Sequence, residues 1–364
     1  MGKKLMKGNE AIGEAAVCAG CLNYFAYPIT PQSEVAEYLS RRLPEVGGTF
    51  LQGESEVAVS YMLFGASAAG ERVFTTSSSP GISLMAEGMS YLSGAQLPVV
   101  IVNIVRGGPG LGGILPAQSD YMQAVKGAGH GDYHVLVLAP AGVQEAVDLT
   151  IDAFTLAERY SNPVLILGDG MIGQMMEPVE FPDPETIPPP QPRPWATTGM
   201  KDRRQNLIRS LFLSPDSLEY NNMHLRAKYD AMERDEVRYE SYHAERKMDV
   251  LIVAYGTMAR ICKTAVDVLR EQGLKVGLVR PISLYPYPMQ VVHEAAQKAK
   301  DVLVVELSTG QMVEDVHHAV AGSRPVHFFG KTGGNIPPPD RIADEVRKLL
   351  VKKPGKSRKT GRKS

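Results

Sequence analysis

Apolar positions along the first half of the chain fall into short runs separated by longer amphipathic stretches. Thr49–Leu51, Val73–Thr76, Pro98–Val105, His134–Ala139 and Pro163–Leu167 read as strands. Several are apolar without alternation, as in parallel strands buried on both faces. Ser55–Ala69, Gly81–Ser93 and Val143–Tyr160 carry helical patterns between them, and Glu10–Tyr24 and Ser33–Arg42 are helix-like as well. Alternation of this kind predicts an α/β layer fold around a parallel sheet.

The pattern breaks at Pro182–Pro194, where proline density predicts an extended linker. Residues 200–246 are charged and helical in pattern, with no strand expected. A second α/β unit begins at Met248: strand Asp249–Tyr255, turn Gly256-Thr257, helix Met258–Gln272, then strands Lys275–Pro281, Asp301–Glu306 and Pro325–Phe329. The expected organisation is a first domain over 1–182, a proline-rich and helical linker over 183–246, and a smaller three-layer domain over 247–351. The segment 352–364, with Lys and Arg but no acid, reads as a solubilising tail.

At 364 residues, two domains are the default. A formal net charge of −1 gives no reason to expect nucleic acid. No apolar signal region opens the chain and no 18-residue apolar run occurs, so a cytoplasmic protein without a membrane span is expected. The three cysteines suit a reducing compartment. Cys18 and Cys21 form a C-x-x-C, but within an Ala/Gly-rich helical run they read as small buried residues. Three cysteines cannot supply four cluster ligands from this chain alone.

Candidate chemistry gathers at expected strand ends. Tyr27-Pro28-Ile29-Thr30-Pro31-Gln32-Ser33-Glu34 is a bend stiffened by two prolines that presents the Thr30 hydroxyl; a plain helix connector with a Ser33 cap is the other reading. Gln52-Gly53-Glu54-Ser55-Glu56 follows a strand and opens a helix, where acids are favoured by the helix dipole in any case. Thr75–Gly81 adds hydroxyls, and Arg106 follows the apolar strand directly before a glycine loop. Thr30, Glu56, the serine turn and Arg106 would share one sheet edge, where open α/β sheets bind ligands. Gly108–Gly113 and Gly168–Gly173 both fit G-x-G-x-x-G after a strand, but neither is expected to open a helix directly, as dinucleotide binding requires. Gly168-Asp169-Gly170 is similar to a metal–diphosphate motif, but no Asn lies between Asn162 and Asn206 to complete it, so a strand-end turn is expected.

Tyr27–Glu34, Glu54 and Glu56, Thr75–Gly81, Val105-Arg106-Gly107-Gly108-Pro109, Gly129-His130-Gly131-Asp132, Val304–Glu306 to Met312, and Phe329–Gly334 together resemble the α subunit of 2-oxoacid:ferredoxin oxidoreductases. In detail they resemble the 2-oxoisovalerate (3-methyl-2-oxobutanoate) branch, over residues 5 to about 350. The resemblance implies a pyrimidine-type thiamine diphosphate-binding domain followed by a transketolase C-terminal-like domain. It implies oxidative decarboxylation of a 2-oxoacid to its acyl-coenzyme A, with electrons passed to ferredoxin. It places the diphosphate half-site and magnesium on a β subunit and iron–sulfur clusters on a ferredoxin-like subunit, with a γ subunit completing the complex.

By the same resemblance, Glu56, nine residues before Gly65-Ala66, is the acid at the aminopyrimidine. Thr30 and Arg106 hold the substrate carboxylate. Tyr27, Ser79 and Gly81 join Glu56 around the cofactor, and no metal ligand is expected in this chain. The loop Gly108–Gly113 departs from other branches after Gly-Gly-Pro, which leaves substrate identity open. A 2-oxoglutarate or aryl-2-oxoacid enzyme of the same type is the alternative within the class. Outside it stand a Rossmann-type nucleotide-binding protein and a non-catalytic scaffold subunit.

Overall fold

A computed structural model describes residues 2–183, 186–244 and 246–351. The chain opens with β1 (Lys4–Lys7), α1 (Gly8–Cys18), β2 (Asn23–Ala26), α2 (Ser33–Glu45), β3 (Thr49–Gln52), α3 (Glu56–Ala68) and β4 (Val73–Ser77). It continues through α4 (Ser79–Leu84), α5 (Ala86–Gly94), β5 (Val100–Val105), α6 (Tyr121–Val125), β6 (Leu136–Leu138), α7 (Val143–Tyr160), β7 (Val164–Asp169), α8 (Gly170–Gln174) and β8 (Met176–Val179). After α9 (Pro215–Asp235) and β9 (Tyr239–Tyr242) come β10 (Val250–Val253), α10 (Gly256–Glu271), β11 (Val276–Pro281), β12 (Ser283–Tyr285) and α11 (Met289–Gln297). The last elements are β13 (Asp301–Glu306), α12 (Met312–Val320), β14 (Val326–Gly330) and α13 (Pro339–Val351).

The expected α/β architecture is present. The larger sheet runs β12-β6-β7-β5-β4-β2-β3, and every pairing is parallel except β12 with β6. Its central strands β4, β5 and β7 are buried throughout, which is why they read as apolar runs without alternation. The smaller sheet runs β14-β13-β10-β11-β9, parallel except for its β9 edge.

Several expectations about element bounds fail. The helix expected over Glu10–Tyr24 stops at Cys18. Gly20 turns the chain at φ +73, a conformation cheap only for glycine, and Tyr24 then enters the sheet between β3 and β4. Gly81–Ser93 is two helices, broken at Met85. A strand does occur within 200–246: β9 covers the open edge of β11 in antiparallel register. Gly256-Thr257 opens α10 instead of forming a separate turn. The segment 352–364 lies outside the described residues.

Residues 193–235 are bound to the first sheet's layers. Arg193 and Arg72 both pair with the buried Glu158, Arg72 through Nε at 2.6 Å. Thr197 N–H donates to Ala68 at 2.9 Å, and Leu225, Tyr229 and Met232 of α9 are buried. One apolar cluster runs from Val59 and Leu92 beside the larger sheet to Met312 and Val316 beside the smaller one, so the two sheets share a core. The thiols are unpaired. Burial pushes Cys21 up to about 12 and Cys18 up to about 11, which leaves neither a reactive thiolate near neutral pH. Among the described residues no helix is long and apolar enough to cross a membrane.

Candidate active site

Five strand ends of the larger sheet face one edge. Thr30 follows β2, Glu56 follows β3, Ser79 and Gly81 follow β4, Arg106 follows β5 and Gly170 follows β7. The parallel order of these strands brings together residues up to 140 positions apart in sequence, among them Gln174, whose Nε2 donates to Glu34 at 2.8 Å.

Glu56 is the first residue of α3, whose N-cap Ser55 accepts from Ala58 N–H at 3.2 Å. The residue is only 4% exposed, and no hydrogen bond or ion pair from the described residues reaches its carboxylate. At the end of β4, the hydroxyls of Thr75, Ser77 and Ser78 are buried without partners among the described residues. Gly81 makes this arrangement possible: a Cβ there would collide with Ser77 Oγ and lie 2.5 Å from Glu56 Oε1. Glu54, the neighbouring acid, is exposed.

Arg106 is the complement. Its side chain is 7% exposed and forms no ion pair among the described residues. Nη1 donates to the Thr30 carbonyl at 2.9 Å and Nη2 to the Leu111 carbonyl at 3.3 Å, while the buried Nε has no partner. The guanidinium thus ties the Thr30 bend to the glycine loop. Both X–Pro bonds beside it, Thr30–Pro31 and Gly108–Pro109, are cis. Ser79 anchors the Arg106 backbone, its Oγ accepting from Arg106 N–H at 3.1 Å and donating to the Arg106 carbonyl at 3.3 Å. Tyr27, 38% exposed, follows β2 in the chain and accepts from Gln32 Nε2 through its carbonyl at 3.4 Å.

Sequence reasoning missed the support behind these groups. Asn103, inside the apolar strand β5, accepts from Ser79 N–H at 3.0 Å and donates to Asp120 at 3.0 Å. Burial pushes the Asp120 carboxyl up, opposed by hydrogen bonds from Ser79 and Asn103. A lone amide in an otherwise apolar buried strand was the available signal. Gln32 accepts from Thr76 Oγ1, which also meets Tyr24 Oη at 2.7 Å. Asn9 Nδ2 donates to the Pro31 carbonyl and to Glu34, each at 2.8 Å. The bend carrying Thr30 is therefore held from several sides.

The two glycine patterns differ. Gly108–Gly113 forms a loop with Leu111 84% exposed. Gly168–Gly173 does open a helix, contrary to expectation, but only the short α8. Asp169 caps it, accepting from Met171 and Ile172 N–H at 2.9 and 3.2 Å. This carboxylate is 3% exposed and engaged by its own chain. Among the described residues no group of three His, Cys, Asp or Glu is arranged to hold a metal ion. Between the glycine loop and α8 lies an open cleft of about 720 Å³, bordered by Thr30.

Residues 14–244 match the family model described as pyruvate flavodoxin/ferredoxin oxidoreductase, thiamine diphosphate-binding, and 248–342 match pyruvate:ferredoxin oxidoreductase core domain II. The chain is 48% identical to the ketoisovalerate oxidoreductase subunit VorB of Methanothermobacter marburgensis, over 96% of this chain and 97% of that one. It is 40% identical to the 2-oxoglutarate synthase subunit KorA of Archaeoglobus fulgidus, over 91% and 95%. Among solved structures it is similar to the 2-oxoglutarate:ferredoxin oxidoreductase of Magnetococcus marinus, with a TM-score of 0.85 at 27% identity. That alignment covers 96% of this chain and spans 65% of the solved one. The paired sheets, the polar edge and these likenesses agree: the chain belongs to the 2-oxoacid:ferredoxin oxidoreductase family and carries its thiamine diphosphate-binding domain.

Proposed function

We propose that this chain is the pyrimidine-side catalytic subunit of an enzyme that oxidatively decarboxylates 2-oxoisovalerate to its acyl-coenzyme A and passes the electrons to ferredoxin. One observation carries the reading: two buried charged residues, Glu56 and Arg106, stand at one sheet edge, and neither meets an opposite charge among the described residues. Buried charges left this way are costly, and ligands that complete them recover that cost. Greater identity to a chain named for ketoisovalerate than to one named for 2-oxoglutarate supports the branched-chain substrate.

The residues fit a planar aminopyrimidine. The space above Gly81 is bounded by Glu56 and Ser77, and the unpartnered hydroxyls of Thr75, Ser77 and Ser78 are donors for a polar ring edge. When bound, thiamine diphosphate supplies the nucleophilic carbon and the electron sink for decarboxylation of a 2-oxoacid. Glu56 would hold the proton at the pyrimidine N1′ and so govern the basicity of the amino group across the ring. Arg106, with Thr30, receives the substrate carboxylate through charge-assisted hydrogen bonds. Ser79 keeps Arg106 in register through its backbone, and Tyr27 joins the cofactor site.

The diphosphate half-site and its magnesium come from a β subunit in this reading. Asp169 is engaged in capping α8, and apolar side chains stand exposed on the elements that carry the site: Leu51 on β3, Val57 and Tyr61 on α3, Leu84 on α4 and Leu111 in the glycine loop. Such exposure suits burial against another chain. A ferredoxin-like subunit with iron–sulfur clusters and a γ subunit complete the assembly, and the unpaired thiols suit a cytoplasmic location.

Purification with the β, γ and ferredoxin-like chains, followed by ferredoxin reduction with a panel of 2-oxoacids and coenzyme A, tests the reading. Preference for 2-oxoisovalerate is expected; activity confined to 2-oxoglutarate or aryl acids overturns the substrate. Calorimetry of the single chain should detect weak thiamine diphosphate binding or none. Tight, magnesium-dependent binding without β would sink the divided site.

A further inference from the structure

The cleft beside Thr30 has a distinctive chemistry. One wall is the glycine loop's Ile114 and Leu115, 59% and 55% exposed; the other is Met171 and Met175 at α8. Thr30, whose carbonyl accepts from Arg106 Nη1 at 2.9 Å, lines the cleft. A carboxylate received by Arg106 and Thr30 therefore has this cleft as its neighbour. No lysine, arginine or histidine of the described residues lines it, and its single ionisable lining group is Glu34.

Glu34 is held firmly. It accepts from Asn9 Nδ2 and Gln174 Nε2, each at 2.8 Å, and Lys7 Nζ lies 3.6 Å away. Partial burial pushes its carboxyl up, but hydrogen bonds from Gln174, its own backbone and Asn9, with the charge of Lys7, hold it below the ordinary value. It is an anion near neutral pH.

We propose that this cleft receives the side chain of the 2-oxoacid, that Ile114, Leu115 and Met171 select uncharged aliphatic groups, and that Glu34 turns away a second carboxylate. The assignment rests on the functional reading above and adds the groups that decide between substrates. Apolar walls reward burial of methyl groups, and a fixed like charge opposes a dicarboxylate. Because the cleft is open and larger than an isopropyl group, longer branched acids fit as well.

The test uses the assembled complex and compares kcat/KM for 2-oxoisovalerate, 2-oxo-4-methylpentanoate and 2-oxoglutarate in wild type, Leu115→Arg and Glu34→Gln. Leu115 is more than half exposed, so Leu115→Arg should melt like wild type. It should lower kcat/KM for both branched acids by about tenfold or more, the scale of losing an apolar contact in a pocket, and raise it for 2-oxoglutarate. Glu34→Gln should move the ratio the same way by a smaller factor, because it removes the repelling charge and releases Lys7. A wild type that prefers branched acids, with the ratio unchanged in both variants or all three acids falling together, overturns the cleft assignment alone. A wild-type complex inactive on branched acids overturns the functional reading and this assignment with it.

Discussion

Glu56 and Glu306 are both buried glutamates where a parallel strand gives way to a helix, yet their surroundings are opposite. Glu306 ends β13 at 1% exposure and meets four donors: Ser308 Oγ at 2.8 Å, Gln311 and Met312 N–H at 3.1 Å, and Val313 N–H at 2.9 Å. Burial pushes its carboxyl up, opposed by those same donors. Gln118 closes that edge against the first sheet, accepting from Leu307 N–H at 3.0 Å and donating to the Tyr255 carbonyl at 2.9 Å. Glu56, at 4% exposure, has no such partner among the described residues. A buried carboxylate completed by its own chain is part of the scaffold. One left incomplete beside other incomplete groups is built for something that arrives later.

The contrast is sharpest under the same substitution at both positions. Glu56→Gln should lower turnover of the assembled complex by roughly 10²–10⁴-fold, the scale of lost proton control. Its melting temperature should hold, because no hydrogen bond from the chain is lost. Steady-state kinetics with a thermal melt check both halves. Wild-type rates in Glu56→Gln, with loss in Glu54→Gln, would show that the other acid does the work.

Arg106→Ala should come next in size. Loss of a charge-assisted contact of about 1.5–3 kcal/mol corresponds to roughly a 10- to 150-fold rise in KM for the 2-oxoacid, with cofactor affinity changed less. Arg106→Lys keeps the charge but cannot span the carbonyls of Thr30 and Leu111 with a planar fork, so it should recover only part of the loss. Unchanged KM and kcat in Arg106→Ala would make the residue a strut between two loops and displace the substrate site.

Glu306→Gln should have the smallest catalytic effect. Its amide cannot satisfy all four donors, so stability should fall by about 1–3 kcal/mol, read as a lower denaturation midpoint. Turnover per folded molecule should persist. Loss of turnover at wild-type stability would erase the distinction between the two edges.

Much of the fold was legible because its signals are local. Helix α7 and strand β13 have the expected bounds, Val143–Tyr160 and Asp301–Glu306, since each carries a full period of burial and a marked end. Strands β1, β2, β8, β9 and β12 were missed. Each is three or four residues long and defined by a partner, not by its own pattern. Ser283 of β12 pairs with Leu138 of β6, across the expected boundary between domains. Asn23 and Tyr24 were read as the end of a helix, and only the Gly20 turn and the place of Asn23–Ala26 between β3 and β4 made them part of a strand.

The sequence alone determined the succession of buried strands and amphipathic helices, the stiff Thr30 bend and the acid and guanidinium at strand ends. These follow from spacing and residue type, which act over a few positions. Tertiary structure decided which buried charges go unpaired, that Arg106 reaches the Thr30 carbonyl, and that Ile114, Leu115 and Met171 border one cleft with Glu34. The physical reason is that a carboxylate's state depends on the donors around it. Glu306 finds its donors just after it in the chain, at Ser308, Gln311, Met312 and Val313, whereas the groups around Glu56 and Arg106 come from strands that only the sheet places side by side.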